Sequence, residues 1–198
     1  MSANDTTGYQ CMPRAELQDG ALAVRAVQPS HIESIRQWRN AQMDVLRQSR
    51  TITAEQQSAY YTAQVWPAMV LPHPPNILLI YEENGRPIGY GGLVHIAWEH
   101  RRAEVSFLLA PDLARASDEY ARYFGTFLGL IKGLAFKDLR IHRLYTETYA
   151  MRRHHISILE TNGFLLEGTM RHHVMVDGQP MDSLIHGCLA SDERQASE

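Results

Sequence analysis

Short apolar runs that alternate with polar residues, and longer stretches with apolar positions three or four apart, divide this chain into strands and helices. Ala21 to Val27 predicts a first strand. Ser30 and Glu33 form a capping-box pair, in which the Ser oxygen takes a free amide and the Glu reaches back, so a helix is expected there with Ile32, Ile35 and Trp38 on one side. A second such pair, Thr53 and Gln56, opens a helix that runs toward Trp66 and is expected to stop at Pro67, which has no amide to donate. Pro72-His73-Pro74-Pro75 is a stiff connector. Asn76 to Tyr81 and Pro87 to Ala97 predict strands joined across Asn84-Gly85, a pair that enters the left-handed dihedrals of a tight hairpin cheaply. Gly89, Gly91 and Gly92 inside the second run mark a bulge or a close backbone approach.

Ala103 to Leu109 continues as a strand with Glu104, Ser106 and Leu108 on one face and Val105 and Phe107 on the other. From Tyr120, apolar residues at 120, 124, 127, 128, 131, 134 and 135 predict one long buried-face helix. Ser117 is placed to cap it, with Asp118 and Glu119 in its first turn and Lys132 and Lys137 toward its end, as the helix dipole favours. Leu144 to Tyr149 reads as a strand. Ile156 and Leu159 then mark a short helix ending at Asn162-Gly163. Leu165 to Val176 and Met181 to Leu189 form a hairpin across Asp177-Gly178. The order β, α, α, β, β, β, α, β, α, β, β describes one α/β domain over residues 21–190. A loose polar arm is expected over 1–20 and a disordered tail over 191–198.

Composition narrows the function. At 198 residues and 44% hydrophobic content the chain can bury a core without disulfides or a metal, and no apolar run is long enough for a membrane span. A net charge of -3 gives no reason to expect nucleic acid or an anionic membrane as a partner. The Met-Ser-Ala-Asn-Asp start resembles no secretory signal, and two distant cysteines make no disulfide framework, so a cytoplasmic protein is expected. The paired histidines, His154-His155 and His172-His173, diverge in helix or strand and give no zinc spacing, so no metal is expected.

The segment His154-x-x-Ser157-Ile158-Leu159-x-x-x-Gly163-Phe164, followed by Glu167-Gly168 and Arg171, resembles the last motif of the GNAT superfamily of acetyl-CoA-dependent N-acetyltransferases, with His154 where the family often has Asn. The element order, Trp38-Arg39-Asn40 and Ala103-Glu104-Val105-Ser106-Phe107 extend the resemblance over nearly the whole chain. It implies a GNAT fold: a single mixed, mostly antiparallel twisted sheet of about seven strands, splayed between strands 4 and 5, with about four helices. It also implies acetyl-CoA as co-substrate. The pantetheine arm would lie in the splay, with the thioester carbonyl near the amide of Leu108 or Leu109 and the cofactor passing Ala110.

The family's glycine loop after the fourth strand is replaced here by Pro111 to Gly125, with Phe124 in the place of the last glycine and Gly125 one position late. Phe124, Gly125, Thr126 and His154 are the remaining cofactor positions the resemblance implies. The amine must lose a proton and the thiolate must gain one. Glu104 or Glu147 is the candidate base, each also readable as a structural ion-pair partner. At the position of the family's usual Tyr acid stands Leu159, which leaves Ser157 as candidate acid, with Tyr145 in reserve.

Arg36, Arg39 and Asn40 are the expected acceptor-binding residues. Trp38-Arg39-Asn40, the Thr53-Ala54-Glu55-Gln56 helix start, Ala103-Glu104-Val105-Ser106 and Asp182-Ser183-Leu184-Ile185-His186 resemble a branch that acetylates nucleotide-linked amino sugars or protein N-termini. Arg36, Arg39 and His154 suit a nucleotide diphosphate, so the expected acceptor is a nucleotide-linked amino sugar for surface polysaccharide synthesis. The alternatives are a protein N-terminus, as in the ribosomal-protein branch, and a non-catalytic acyl-CoA-binding module. The paired C-terminal strands leave an edge through which a homodimer could form.

Overall fold

The computed structural model describes residues 8–115 and 117–195. Its centre is an eight-stranded sheet in the order β1-β2-β3-β4-β5-β6-β8-β7. The strands are β1 (Glu16–Asp19), β2 (Leu22–Ala26), β3 (Ile77–Glu83), β4 (Arg86–Ala97), β5 (Arg102–Leu109), β6 (Arg143–Tyr149), β7 (Leu165–Val176) and β8 (Gln179–Leu189). Every neighbouring pair is antiparallel except β5 and β6, which run parallel. Helices α1 (Ile32–Asn40), α2 (Ala54–Tyr60) and α3 (Trp66–Ala68) belong to the layer over one face, where α1 and α2 border the side chains of Tyr90 and Ser106. On the other face lies α4 (Ser117–Lys132), whose Phe124 stacks on Phe107 at 4.5 Å and whose Phe127 meets Tyr81 edge-on at 5.4 Å. Helix α5 (Arg153–Thr161) packs beside α4, and α6 (Ala190–Gln195) closes the described chain.

The period-3.6 stripe of α4 is the heart of the core. Tyr120, Phe124, Phe127, Leu128 and Ile131 are all buried, followed in the continuing π turn by Leu134 and Ala135. Each large apolar side chain removed from water there contributes about 1.5–3 kcal/mol. Both hairpins turn as their sequences dictate, with Asn84-Gly85 and Asp177-Gly178 all at positive φ. The end of α5 is closed by a Schellman pair, Phe164 N donating to Leu159 O at 3.1 Å and Gly163 N to Glu160 O at 3.1 Å, with Gly163 at φ +85°. A Cβ on Gly91 would stand 2.2 Å from Ser106 O, so glycine there is a condition for pairing β4 with β5.

Several expectations change. The sheet has eight strands and not about seven, because part of the supposed loose arm over 1–20 is ordered: β1 pairs with β2, Tyr9 is buried, and its hydroxyl accepts from Leu78 N at 2.9 Å. Residues 1–7 lie outside the described residues. The first helix is capped earlier than Ser30, because Gln28 makes the box with His31, whose Nδ1 accepts from Gln28 N at 3.0 Å, and Pro29 occupies the first turn. Pro67 does not stop its helix. A π turn over Tyr61–Val65 widens the ladder just before it, relieving the clash between the proline ring and the preceding turn, so α3 runs on to Ala68. Ser117 is the first residue of α4 and not the residue before it. Of the expected tail over 191–198, residues 191–195 belong to α6, and 196–198 lie outside the described residues. The Thr53 and Gln56 box forms as expected, with bonds of 3.0 and 3.2 Å.

Candidate active site

Strands β5 and β6 pair only through Arg102↔Arg143, Ala103↔Leu144 and Glu104↔Tyr145. Beyond Glu104 they diverge, β5 staying with β4 as far as Leu109 and β6 staying with β8 as far as Tyr149. A wedge-shaped slot results, and a cavity of about 90 Å³ runs through it, lined on one strand by Glu104 to Phe107 and on the other by Thr146 to Tyr149. Alternation along β5 leaves every second residue's backbone turned toward the slot. Leu109 O is one such group, since it accepts from the Gln42 side chain at 2.8 Å. Leu108 is turned the other way, its carbonyl close against Gly89, and Ala110 N is spent on Ile88 O at 2.8 Å. The expected amide at Leu108 and the expected role of Ala110 are therefore corrected: their backbone groups serve β4, and the slot-facing groups belong to Leu109 and Phe107.

At the inner end of the slot Glu104, Ser106, Tyr145, Glu147 and Tyr149 share one face, as the register requires. Arg47, from the loop after α1, bridges the two carboxylates, touching Glu104 through one nitrogen and Glu147 Oε2 through another at 3.2 Å. Glu104 is 5% exposed, and its other oxygen lies 3.9 Å from His95 Nε2. Burial raises its carboxyl above the ordinary range, with Arg47 and His95 opposing the rise. Glu147 Oε1 is buried and lacks a hydrogen-bond partner among the described residues, His173 standing 3.8 Å away. Burial also raises the Tyr145 phenol, with Glu104 adding to the effect.

The outer end opens into a cavity of about 310 Å³ lined by Gln42, Leu108, Leu109, Ala114, Tyr120 and the turn Met151 to His155. Three cationic or ionisable side chains, Arg152, Arg153 and His154, therefore stand where the slot meets solvent. His155 is buried and stacks on Phe124 at 4.2 Å, and its Nδ1 lies 2.7 Å from the Tyr120 hydroxyl. Burial, reinforced by Arg152, holds its imidazole well below the usual histidine range, so it is neutral. On the α1–α2 face a third cavity, of about 550 Å³, meets the slot at Ser106. Ile35, Arg39, Arg50, Gln56, Tyr60 and Tyr90 are among its walls.

The structure brings Glu104, Glu147 and Tyr145 together, and places Arg39 on the wall of the large cavity and His154 at the outer one. It does not bring the others. Ser157 is exposed on α5 and lines none of these cavities. Arg36 is held by Glu33, with bonds of 2.6 and 2.9 Å, and by Ile52 O. Asn40 braces the following loop, accepting from Ile52 N and Gln48 and donating to Ile52 O. Gly125 and Thr126 sit about two turns inside α4, where amides are already used in the helix ladder, so neither they nor Phe124 can cradle phosphate. Gly125 instead leaves room for Asn162, and Phe124 is a wall of the slot. Sequence reasoning missed Arg47, Gln42, Tyr120, His155, Arg152 and Arg153. Only the apolar period marked Tyr120, and as a core residue.

The residues present fit acetyl-CoA: a free strand edge for the extended pantetheine and a basic turn at the exit for the diphosphate. Among the described residues, no group of three or more His, Cys, Asp or Glu could hold a metal ion, and no helix is long and apolar enough to cross a membrane. A parallel pair forced open inside an otherwise antiparallel sheet, with carboxylates at the joined end, defines an acyl-CoA-dependent transferase. The chain belongs to the acetyltransferase (GNAT) domain family, whose profile matches residues 24–185, and it is an acetyl-CoA-dependent N-acyltransferase.

Among solved structures, spermidine N-acetyltransferase from Vibrio cholerae in complex with CoA and spermine is similar, with a TM-score of 0.76 at 18% identity over 88% of this chain and 98% of that one. The dodecameric structure of that enzyme in an intermediate state gives 0.75 at 19%, covering 91% and 100%. A chimera of the Vibrio cholerae enzyme and hSSAT gives 0.73 at 18%, covering 87% and 97%. At such identities the likeness is one of fold. No curated protein sequence matches the chain.

Proposed function

We propose that the chain moves the acetyl group of acetyl-CoA directly to the amine of a nucleotide-linked amino sugar, with Glu147 as the base that takes the amine proton. The observation that carries the choice of base is Oε1 of Glu147, a buried carboxylate oxygen beside the slot that accepts no hydrogen bond among the described residues, His173 standing 3.8 Å away. Glu104 has neighbours of the same kind, Arg47 on one oxygen and His95 at 3.9 Å from the other, much as His173 stands 3.8 Å from Glu147, but neither of its oxygens is among the buried ones without a hydrogen bond. It acts through Arg47, helping to hold that guanidinium against Glu147. Neither cysteine lines the slot, which supports direct transfer over an acyl-enzyme.

The acceptor reading rests on the large cavity. Arg39 donates only to neutral partners, Gln48 Oε1 at 3.0 Å and the Tyr90 hydroxyl at 2.7 Å, and Arg50 forms no ion pair among the described residues. No carboxylate is among the described residues lining it. Guanidinium groups without a carboxylate favour an anionic acceptor, and tyrosine rings offer faces for a base. The solved structures of similar fold are named for spermidine, a polycation that would meet Arg39 and Arg50 with like charge.

The test is thiol release from acetyl-CoA with nucleotide-linked amino sugars, N-terminal peptides and polyamines. Turnover with the nucleotide sugars at a kcat/KM at least tenfold above spermidine is expected. A preference for spermidine or for peptides would replace the acceptor. Silence with every amine, together with tight CoA binding, would favour a binding module.

A further inference from the structure

The slot has a direction. Its inner end holds Glu104 and Glu147, its middle Phe107 and Thr148, and its outer end Leu109 and the basic turn. A thioester threaded from the outer end places its carbonyl carbon beside Glu147 and its sulfur about one strand residue, roughly 3.3 Å, further out. That is the level of Phe107. Phe124 stacks on Phe107 at 4.5 Å, and His155 stacks on Phe124 at 4.2 Å, so the imidazole stands beside the slot at the height of the sulfur. His155 and Arg152 line both the slot and the outer cavity, and Tyr120 lines the outer one.

The hydrogen bonds fix which ring nitrogen carries the proton. Arg152 Nη2 donates to the Tyr120 hydroxyl at 3.2 Å, which leaves that hydroxyl to donate to His155 Nδ1 at 2.7 Å. Arg152 also approaches Nδ1, at 3.4 Å. A neutral imidazole whose Nδ1 only accepts carries its hydrogen on Nε2. The sequence position of the family's usual acid is Leu159, fully buried in the core, and Ser157 faces away, so this reaction needs a proton from elsewhere.

We propose that Tyr120 and His155 form the acid that protonates the departing thiolate, an inference that rests on the acyl-transfer reading of the slot. As the amine nitrogen bonds to the acetyl carbon and its proton passes to Glu147, the carbon–sulfur bond breaks. Nε2–H of His155 gives its proton to sulfur, and Nδ1 takes the phenolic proton of Tyr120. Burial raises the Tyr120 phenol, and the Arg152 guanidinium against which the phenolate lies opposes that rise. Glu147 has gained one proton and Tyr120 has lost one, so exchange with water restores both. His155 is neutral throughout and ends with its hydrogen on Nδ1; it regains the Nε2–H form when Nδ1 returns its proton to the Tyr120 phenolate and Nε2 takes one from water once the thiol leaves.

Two acetyl donors test this: acetyl-CoA, whose alkyl thiolate needs a proton to leave, and an acetyl thioester of a nitro-substituted aromatic thiol, whose thiolate leaves without one. With acetyl-CoA, Tyr120→Phe and His155→Gln should each lower kcat on the order of 10²-fold, with calorimetric CoA affinity within about threefold of the parent. With the aromatic thioester both variants should stay within about threefold of the parent. Equal losses with both donors would assign the pair a structural role, and unchanged rates with acetyl-CoA would remove it from the chemistry. Either overturns the proposal while leaving acyl transfer standing. No thiol release by the parent from either donor would overturn both readings. Tyr120→Phe keeps the ring and its stacking, so it carries the test if His155→Gln folds poorly.

Discussion

The two ends of the slot are built by different means. The inner end is made of strand residues, and each side chain is aimed by the register with the strand behind it: Glu104 by pairing with Val94, Glu147 by pairing with Ile185. The outer end is made of a turn and the starts of two helices, with nothing comparable to impose a direction. Chemistry that depends on alignment within about half an ångström belongs on strands, whereas holding a diphosphate needs only charge within reach. The comparison teaches that the fold is kept here without the family's glycine loop, while Arg152 and Arg153 line the outer cavity on the other side of the slot.

That contrast can be broken in order of expected effect. Glu147→Gln should lower kcat by roughly 10²–10³-fold with CoA affinity unchanged, whereas Glu104→Gln should cost about tenfold, read by steady-state kinetics and calorimetry. The reverse ranking would return the base to Glu104. Arg47→Met should lower kcat about tenfold near neutral pH and raise the pH at which the Glu104 carboxyl takes up its proton, followed by infrared titration. The sign follows from Glu104: burial already raises its carboxyl, Arg47 opposes the rise, and removing the cation leaves the charged form less favoured.

At the outer end effects should be smaller. Arg153→Gln should weaken CoA about fivefold, close to 1 kcal/mol, and flatten the dependence of affinity on salt, with kcat at saturation preserved. An unaltered CoA affinity would place the phosphates elsewhere. The smallest effect is on stability. The folded chain holds His155 well below its unfolded value of 6.5, so the unfolded chain takes the proton first. Its contribution is complete above that value and is lost as pH falls through it. Melting temperature should therefore drop as pH is lowered past about 6.5, and less steeply in His155→Gln.

Much of this was legible in the sequence where a period or a turn chemistry governs. The stripe from Tyr120 to Ala135, both hairpins and the Gly163 stop follow from local rules, and the resemblance placed the splay between the strands that hold Glu104 and Glu147. What failed was counting along α4. A helix that starts at Ser117, within one residue of the start its Ser-Asp-Glu opening announces, carries Phe124, Gly125 and Thr126 past the region where amides are free, so the cofactor positions carried over from the resemblance fall inside the ladder. Arg47 was illegible for a different reason: it lies in an irregular loop after α1, and only the folded sheet brings two carboxylates beneath it. Ser157 had the right spacing and the wrong face of its helix, since the buried face of α5 is set by His155, Ile158 and Leu159.

The amide of Gln42 already occupies Leu109 O, one of the slot-facing acceptors along the edge of β5. A ligand N–H that reaches this oxygen evicts a tenant, and the exchange of one amide bond for another is close to thermoneutral. Shortening the tenant, as in Gln42→Ala, would thus leave the carbonyl vacant and make an incoming pantetheine amide its first partner.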